Sequence, residues 1–202
     1  MSRYTGPKAR ICRREGVNLF GPEKYQKILQ NRPGTPGVHG ASLRKKKTQY
    51  GSQLREKQKA RYLFGVTEKQ MSNYFKKAAS MTGDTGEQLM TLLERRLDNV
   101  IYRSGFTRTR FQSRQFVNHG HVYVNGDLVT IPSAQVKEGD VISFHEKIKK
   151  TPVFKMVSDK QKAPKWLVVN KKDFTFTIDS LPKQDEFDAL IEVHLIVEFY
   201  SR

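Results

Sequence analysis

The side chains best suited to binding chemistry lie close together between positions 103 and 121. They are arginines, an asparagine and two histidines: Arg103, Arg108, Arg110, Arg114, Asn118, His119 and His121. Arg110 and Arg114 are four residues apart and so share one face of a helix, with Asn118 one turn later. Guanidinium groups bind phosphates, whereas amide and imidazole groups suit bases and ribose hydroxyls. The pattern predicts a nucleic-acid-binding surface, and a solvated basic helix face is the alternative for any single arginine.

The same segment indicates neither a metal site nor a catalytic site. His119 and His121 are two residues apart, but no cysteine or carboxylate stands at ligand spacing beside them, and Asp127 lies across a turn. The sequence contains no Walker loop, no Gly-x-Ser-x-Gly nucleophile elbow and no dinucleotide-binding fingerprint. We therefore expect no metal, no cofactor and no enzymatic activity.

The positive charge of the chain is concentrated in its first third. The 202 residues carry a formal net charge of +17. Residues 1–62 hold 16 Lys or Arg against 3 Asp or Glu, whereas residues 123–202 hold 12 of each kind. Such polarity indicates a face for a polyanion. Nucleic acid is the first candidate for this polyanion, and an anionic membrane surface is the second.

The composition limits the class of protein. A hydrophobic content of 37% predicts a modest core in one or two domains. No stretch approaches the roughly 20 apolar residues of a membrane-spanning helix, and the first residues lack a secretory apolar run. Cys12 is the single cysteine and can form neither an internal disulfide nor, alone, a zinc site. We expect an intracellular, cytoplasmic protein.

Residues 1–47 are predicted to form an extended basic arm. Gly-Pro and Pro-Gly pairs interrupt the segment every few residues, and its apolar residues show no regular helical or strand spacing. A disordered, solvated tail is the alternative, although Leu19, Phe20 and Tyr25 are unusual in such a tail. We expect the arm to become ordered on a polyanion. Its basic residues include Arg3, Arg10, Arg13, Arg14, Arg44, Lys45, Lys46 and Lys47.

Helices are predicted from residue 49 to residue 118. The first covers 49–64, ends at Gly65 and carries basic residues at i,i+4 spacings, namely Arg55, Lys57, Lys59 and Arg61. Capping boxes predict helix starts at Thr67 and Thr85. A stripe of apolar residues four apart predicts one helix from 88 to Gly105. The stripe consists of Leu89, Leu93, Leu97 and Ile101.

Two further expectations concern the helices around the arginines. Asp98 is predicted to be a helix-surface carboxylate that pairs with Arg95 or Arg103. A helix from about 108 to 118 is predicted to begin after an N-cap at Thr107 and to end at Gly120. Its apolar face is expected to hold the helix rigid through Phe111 and Val117.

After residue 120 the pattern changes to the alternation of strands. Asn125-Gly126 predicts a tight hairpin, because a type I′ turn needs positive φ at both positions. Further strands are predicted at 141–144, 166–169 and 174–178, with a polar loop at 147–165. The segment 192–200 fits both a strand and a helix.

Short motifs along almost the whole chain match one protein family. They include Arg3-Tyr4-Thr5-Gly6-Pro7, Arg13-Arg14-Glu15-Gly16, Tyr50-Gly51, Leu97-Asp98-Asn99-Val100, His119-Gly120-His121 and the closing Leu195–Arg202. The chain resembles bacterial-type small-subunit ribosomal protein four. Segment 91–150 also resembles the small RNA-binding module, named for its alpha-L motif, that several RNA enzymes share.

The resemblance implies an α+β fold in three parts. The basic extended N-terminal arm occupies 1–47, and a helical domain covers 48–90 and is completed by 186–202. An inserted RNA-binding domain, with a helix-turn-helix and a small antiparallel sheet, covers 91–185. By the same analogy the last ten residues are expected to be helical.

The resemblance also implies a role. The family binds small-subunit ribosomal RNA early and nucleates assembly, lines the messenger RNA entrance beside small-subunit ribosomal proteins three and five, and affects decoding accuracy. Some members repress their own messenger. The expected RNA-binding residues are Arg3, Arg10, Arg13, Arg14, Arg44, Lys45, Lys46, Lys47, Tyr50, Arg55, Lys57, Lys59, Arg61, Arg103, Arg108, Arg110, Arg114, Asn118, His119 and His121.

Three other functions remain alternatives. An RNA-modifying or tRNA-charging enzyme could carry the same module, but too little sequence remains outside it for a catalytic domain. A DNA-binding regulator could use 88–119 as a helix-turn-helix, which leaves the basic arm unexplained. A membrane-surface protein would need an amphipathic arm, which the Gly and Pro spacing opposes.

One departure from the family generates a prediction about zinc. Some relatives bind zinc through four arm cysteines, whereas this chain resembles the zinc-free form, with Ala9 and Cys12 at the first two positions and no cysteine in 25–32. Because one thiolate cannot hold zinc alone, we expect purified protein to contain less than stoichiometric zinc and to fold unchanged in a chelator. Elemental analysis giving one zinc per chain would contradict this.

Overall fold

The computed structural model describes residues 4–38, 40, 48–151, 163–187 and 189–202. The chain forms two compact units, one of 1–86 with 188–202 and the other of 87–187. Helices and an antiparallel sheet are both present, so the α+β class is confirmed. The three-part division expected from the sequence stays a prediction. Five of the expected RNA contacts lie outside the described residues, namely Arg3, Arg44, Lys45, Lys46 and Lys47.

The first unit is helical throughout its described elements. Its helices are α1 (Lys8–Glu15), α2 (Glu23–Asn31), α3 (Gln49–Leu63), α4 (Glu68–Ala79) and, near the end of the chain, α9 (Val193–Tyr200). The helix predicted at 49–64 and the helix start after Thr67 are confirmed. At Thr67 the side chain accepts a hydrogen bond from the Gln70 amide, and the Gln70 side chain accepts one from the Thr67 amide.

The expectation of an extended arm is wrong for residues 8–31, where the chain forms α1 and α2. The glycines and prolines delimit these helices rather than prevent them. Pro7 and Pro22 stand immediately before the two helices, where a fixed φ and a missing amide proton carry little cost. Gly16 ends α1 in the left-handed conformation, with φ of 75°.

The C-terminal segment, which the sequence pattern left ambiguous and the resemblance predicted to be helical, is the helix α9 and packs against α3. Ile196 is fully buried, and the ring of Tyr200 stacks on Phe75 with centroids 4.9 Å apart. A side-chain hydrogen bond of 2.7 Å from Gln53 Nε2 to Glu198 Oε2 joins the two helices. The C-terminal helix is therefore held in this unit by its contacts with α3 and α4.

The second unit contains a sheet covered by helices. Its helices are α5 (Thr85–Glu94), α6 (Leu97–Arg103), α7 (Arg110–Asn118) and α8 (Glu146–Lys149). Its strands are β1 (Val122–Val124), β2 (Asp127–Leu128), β3 (Val141–Phe144), β4 (Leu167–Asn170) and β5 (Thr175–Ile178). Among the described residues these strands form one antiparallel sheet in the order β2-β1-β3-β5-β4. A 3₁₀ helix covers Gln184–Glu186.

The predicted strands and hairpin are confirmed. Val124 pairs with Asp127 across the turn, and Asn125 and Gly126 have φ angles of 53° and 90°. The loop predicted at 147–165 is wrong at its beginning, because α8 continues to Lys149. The N-cap of α8 is His145, whose ring nitrogen Nδ1 accepts a hydrogen bond from the Lys147 amide.

One hydrophobic core joins α6 and α7 to the sheet. Alternate strand residues point into it, as the period of two requires. Phe106 contacts Phe144 edge-on, with centroids 5.2 Å apart, and Trp166 is buried in the same cluster. On α7 the buried apolar residues are Phe116 and Val117, so the expectation for Val117 is confirmed, whereas Phe111 is half-buried.

The single helix expected from 88 to Gly105 is interrupted at Arg96. This residue has an extended ψ of 135° and forms a β-bridge with Gln135. On either side of it, the Leu97 amide donates to the Ala134 carbonyl at 2.9 Å, and the Val136 amide donates to the Arg95 carbonyl at 3.0 Å. Pairing of Arg95–Leu97 with a distant loop thus replaces helical hydrogen bonds at this point, which the apolar stripe alone did not indicate.

The interruption buries an ion pair. Arg96 is fully buried and Asp98 is 3% exposed. Arg96 donates from Nε to Asp98 Oδ1 at 3.0 Å and from Nη2 to Oδ2 at 2.7 Å. The expectation that Asp98 is a surface carboxylate paired with Arg95 or Arg103 is therefore wrong, because α6 begins only after Arg96 and turns the carboxylate back toward it.

The start of α7 also differs from the expectation. Thr109, not Thr107, is the N-cap, and its Oγ1 accepts a hydrogen bond of 3.2 Å from the Gln112 amide. Thr107 is buried and its hydroxyl lies 2.6 Å from Ser113 Oγ. The helix ends at Asn118, and Gly120 follows with φ of 68°.

Asp98→Ala is expected to destabilise the second unit by about 3–5 kcal/mol, because it leaves the Arg96 charge buried without its partner. The matched control is Asp127→Ala on the exposed hairpin, which should change the free energy of unfolding by no more than about 0.5 kcal/mol. Urea unfolding followed by fluorescence reports on this unit, because Trp166 is the only tryptophan. If the two substitutions lower the free energy of unfolding equally, the pair of Arg96 and Asp98 does not stabilise the second unit.

Candidate nucleic-acid interface

Glu94 holds two of the predicted residues in place. It is 1% exposed and receives two hydrogen bonds from Arg103, Nε to Oε2 at 2.9 Å and Nη2 to Oε1 at 2.6 Å. Asn99 Nδ2 also donates to Glu94 Oε2, at 2.6 Å. The Asn99 side-chain oxygen then accepts from Arg110 Nε at 2.7 Å. The Glu94 carboxylate is thereby linked, through the side-chain amide of Asn99, to Arg110 at the start of α7.

Arg110 is the best-oriented of the predicted arginines. Its guanidinium carbon lies 4.4 Å from the centroid of the Tyr102 ring, a cation–π contact. The hydrogen bond to Asn99 fixes the other side of the group, and the residue remains half-exposed. Such a guanidinium can still donate to a phosphate, and little conformational entropy is lost when it does so.

Arg114 and Arg103 have a different environment from Arg110. Arg114 is 8% exposed, and its Nη1 lies 3.8 Å from Asp98 Oδ2. Arg103 shares its charge with the buried carboxylate of Glu94. These two residues therefore contribute first to the packing of α6 and α7. Arg108, Asn118 and His119 are exposed on the same segment.

The histidines lie at the end of α7. The rings of His119 and His121 are 6.1 Å apart, and the ring of His121 meets that of Phe116 edge-on at 6.5 Å. Burial lowers the pKa of His121, and the nearby His119, His145 and Lys147 lower it further. His121 is therefore uncharged at neutral pH and offers hydrogen bonds rather than a positive charge.

In the first unit the predicted residues of α1 surround a depression of about 430 Å³. Arg10 and Arg32 line it and are exposed, as is the neighbouring Arg14. Arg13 lines it too, but its guanidinium donates to the carbonyls of Arg32 and Gly34 at 3.1 Å each. Arg13 thus joins α1 to the segment after α2.

The predicted residues of α3 are mostly paired with carboxylates. Lys57 is 5% exposed, and its ammonium lies 2.7 Å from Glu68 Oε1 and 4.3 Å from the centroid of the Phe199 ring. Arg61 Nη1 lies 3.4 Å from Glu68 Oε2. The remaining pairs are Lys59 with Glu56 and Arg55 with Glu15. Tyr50 is exposed on the first turn of this helix.

Glu68 holds this cluster together. Burial raises the pKa of its carboxyl, but the hydrogen bonds from Lys57 and Tyr200 and the charges of Lys57 and Arg61 outweigh burial and leave the pKa lowered. The Tyr200 hydroxyl donates to Glu68 Oε1 at 2.9 Å. Burial and the Glu68 charge raise the pKa of Tyr200, so this hydroxyl stays protonated as a donor.

Sequence reasoning missed Glu94 and Asn99 as residues that orient the arginines. Glu94 lies nine positions before Arg103 and on the other side of the helix interruption. Helical spacing rules therefore do not pair these residues. Cys12 is fully buried, and burial raises the pKa of its thiol. Among the described residues, no group of three His, Cys, Asp or Glu could hold a metal ion.

Comparison with known proteins identifies the family. Residues 3–94 match the family described as the ribosomal protein S4/S9 N-terminal domain, and residues 95–142 match the S4 domain. Proteins named small ribosomal subunit protein uS4 match along the full length of both chains. Those of Natranaerobius thermophilus, Chloroflexus aurantiacus and Heliobacterium modesticaldum are 45%, 46% and 47% identical to this chain. The chain belongs to the uS4 family.

Family membership confirms the resemblance stated from the sequence motifs. The uS4 family consists of ribosomal proteins and not of enzymes, so the expectation of no enzymatic activity is confirmed. The match to the S4 domain covers α6, α7 and the β1–β2 hairpin, the segment that carries Arg110 and His121. Within the described residues, no helix is both long and apolar enough to cross a membrane.

Proposed function

We propose that the protein is a structural constituent of the cytoplasmic small ribosomal subunit and binds small-subunit ribosomal RNA. The observation that carries this proposal is the oriented guanidinium of Arg110, held between Asn99 and Tyr102 at the start of the helix that ends at the exposed Asn118 and is followed by the exposed His119. Guanidinium, amide and imidazole groups on one rigid element suit the phosphates and base edges of a folded RNA. The names of the full-length relatives support the same assignment.

The first unit supports the proposal independently. Arg10, Arg14 and Arg32 are exposed, and none of the described residues that line the depression beside α1 carries a carboxylate. A group of exposed arginines attracts a polyanion. We therefore include Arg10 and Arg14 among the proposed RNA contacts. We leave out Lys57, because its charge is buried and paired with Glu68.

We also propose the finer roles that the resemblance implies. These are early binding that nucleates subunit assembly, a position at the messenger RNA entrance beside small-subunit ribosomal proteins three and five, and an influence on decoding accuracy. Repression of its own messenger is a further role of some members. Co-sedimentation of the tagged protein with small subunits tests the assignment at its simplest level, and absence from that fraction would contradict it.

Arg110→Ala is expected to weaken binding of the folded protein to small-subunit ribosomal RNA by about 1–3 kcal/mol. It is also expected to lower the stability of the second unit by about 1–3 kcal/mol, because the side-chain oxygen of the buried Asn99 loses its donor. Arg114→Ala is expected to lower the stability of the second unit first, because Arg114 is buried beside Asp98. Filter binding and Trp166 fluorescence measure the two effects. Lys165→Ala, which removes one exposed positive charge elsewhere, is the matched control. If Arg110→Ala and Lys165→Ala weaken binding equally, Arg110 makes no specific contact.

Affinity for ribosomal RNA is expected to depend steeply on salt. If about 6–10 phosphates are contacted, affinity falls by roughly 10³–10⁵ between about 50 and 200 mM salt, on the scale known for DNA duplexes. Replacement of Lys45, Lys46 and Lys47 by Ala should lower the slope of log affinity against log salt by about one unit for each lysine, for cognate and unrelated RNA alike. A flat titration would contradict the expectation, and tighter binding to duplex DNA than to structured RNA would favour a DNA-binding regulator.

A further inference from the structure

A pocket of about 360 Å³ lies between α7 and α8 in the second unit. Its volume falls in the range of about 300–1,000 Å³ that small-molecule sites occupy. Phe116 and Ile148 line it and are 8% and 5% exposed, so they form an apolar floor. Such a floor accepts the flat, apolar face of a ring rather than a hydrated phosphate.

The rim of the pocket is polar and carries little charge. Gln112, Gln115 and His119 stand there, and Gln115 and His119 are exposed. The side-chain oxygen of Gln112 accepts a hydrogen bond of 3.0 Å from the Arg108 amide, which orients its amide nitrogen as a donor. Amide and imidazole groups supply both donors and acceptors, as the edge of a nucleobase requires.

The ring of His121 closes one side, and Lys147 adds a positive charge to the lining. His121 meets Phe116 edge-on with centroids 6.5 Å apart, so two rings border the same space. Lys147 is exposed and follows His145, the residue that caps α8. One ammonium beside an apolar, ring-lined pocket matches a single nucleotide, whose base is flat and whose phosphate is charged.

We propose that this pocket binds one unpaired RNA base, with the base against Phe116 and His121, its edge toward Gln115 and His119, and the adjoining phosphate near Lys147. The proposal rests on the proposed function, because it names the part of the RNA that this site would recognise. Paired bases cannot enter, because the bases of an A-form helix are stacked and its major groove is too narrow for side chains.

His119→Ala and Gln115→Ala in the full-length protein test the pocket. The probes are a labelled unpaired RNA hexamer and an RNA duplex of about 12 base pairs, measured by fluorescence anisotropy at pH 8 across a salt series. Each substitution is expected to weaken hexamer binding about five- to tenfold, as loss of a base contact does, and to leave duplex binding unchanged. Since each substitution removes a proposed base contact and not a phosphate contact, the salt slope should stay the same.

The control variant is His194→Ala, which removes an exposed histidine of the first unit. It should leave hexamer binding unchanged. Weakening of hexamer and duplex alike, or no weakening of either, would overturn the pocket assignment. Binding of the wild-type protein to small-subunit ribosomal RNA is measured separately. If the pocket variants behave like the wild type, the pocket assignment is wrong but the proposed function is unaffected. If the wild-type protein does not prefer small-subunit ribosomal RNA to unrelated RNA, the proposed function is contradicted.

Discussion

The second unit depends on one buried ion pair, between Arg96 and Asp98. Two charges removed from water are tolerated only where each has a close partner, and here the pair is bidentate, with contacts of 3.0 and 2.7 Å. The residues are two positions apart, so a continuous helix would place them on different sides. The extended conformation of Arg96 permits the contact, and it also separates α5 from α6.

The interruption at Arg96 makes the arrangement of the proposed binding residues possible. Glu94 and Asn99 stand on either side of it, and Asn99 Nδ2 donates both to the carboxylate and to the carbonyl of Glu94, at 2.6 and 3.0 Å. The carboxylate thus orients Arg103 directly and Arg110 through Asn99. The Glu94 carboxylate therefore restricts the side chains of Arg103 and Arg110 before any ligand is bound. As a result, these two arginines would lose less conformational entropy on binding.

Sequence patterns predicted the elements whose signals are local. The Thr67 capping box and the Asn125-Gly126 turn act over two to four residues, and both were confirmed. The break at Arg96 could not be predicted in this way, because it depends on a β-bridge to Gln135, 39 positions away in the sequence. The residues around Arg110 were correctly placed on one helix, but their burial depends on α6 and the sheet. Whether each predicted residue touches RNA stays a prediction.

Net charge alone overstates the surface that the first unit offers to RNA. The basic residues of α3 have carboxylate partners, including Glu68, which receives both Lys57 and Arg61. The two pairs with Glu68 join α3 to α4, and the pair of Arg55 with Glu15 joins α3 to α1. These charges therefore stabilise the fold and are only partly available to a ligand. Of the three arginines of α1, Arg10 and Arg14 are exposed. Arg13 is half-buried and joins α1 to the segment after α2. Basic residues that look alike in the sequence therefore differ in role: those of α3 stabilise the fold, whereas Arg10 and Arg14 of α1 are exposed. Only the positions of the carboxylates in the structure distinguish the two groups.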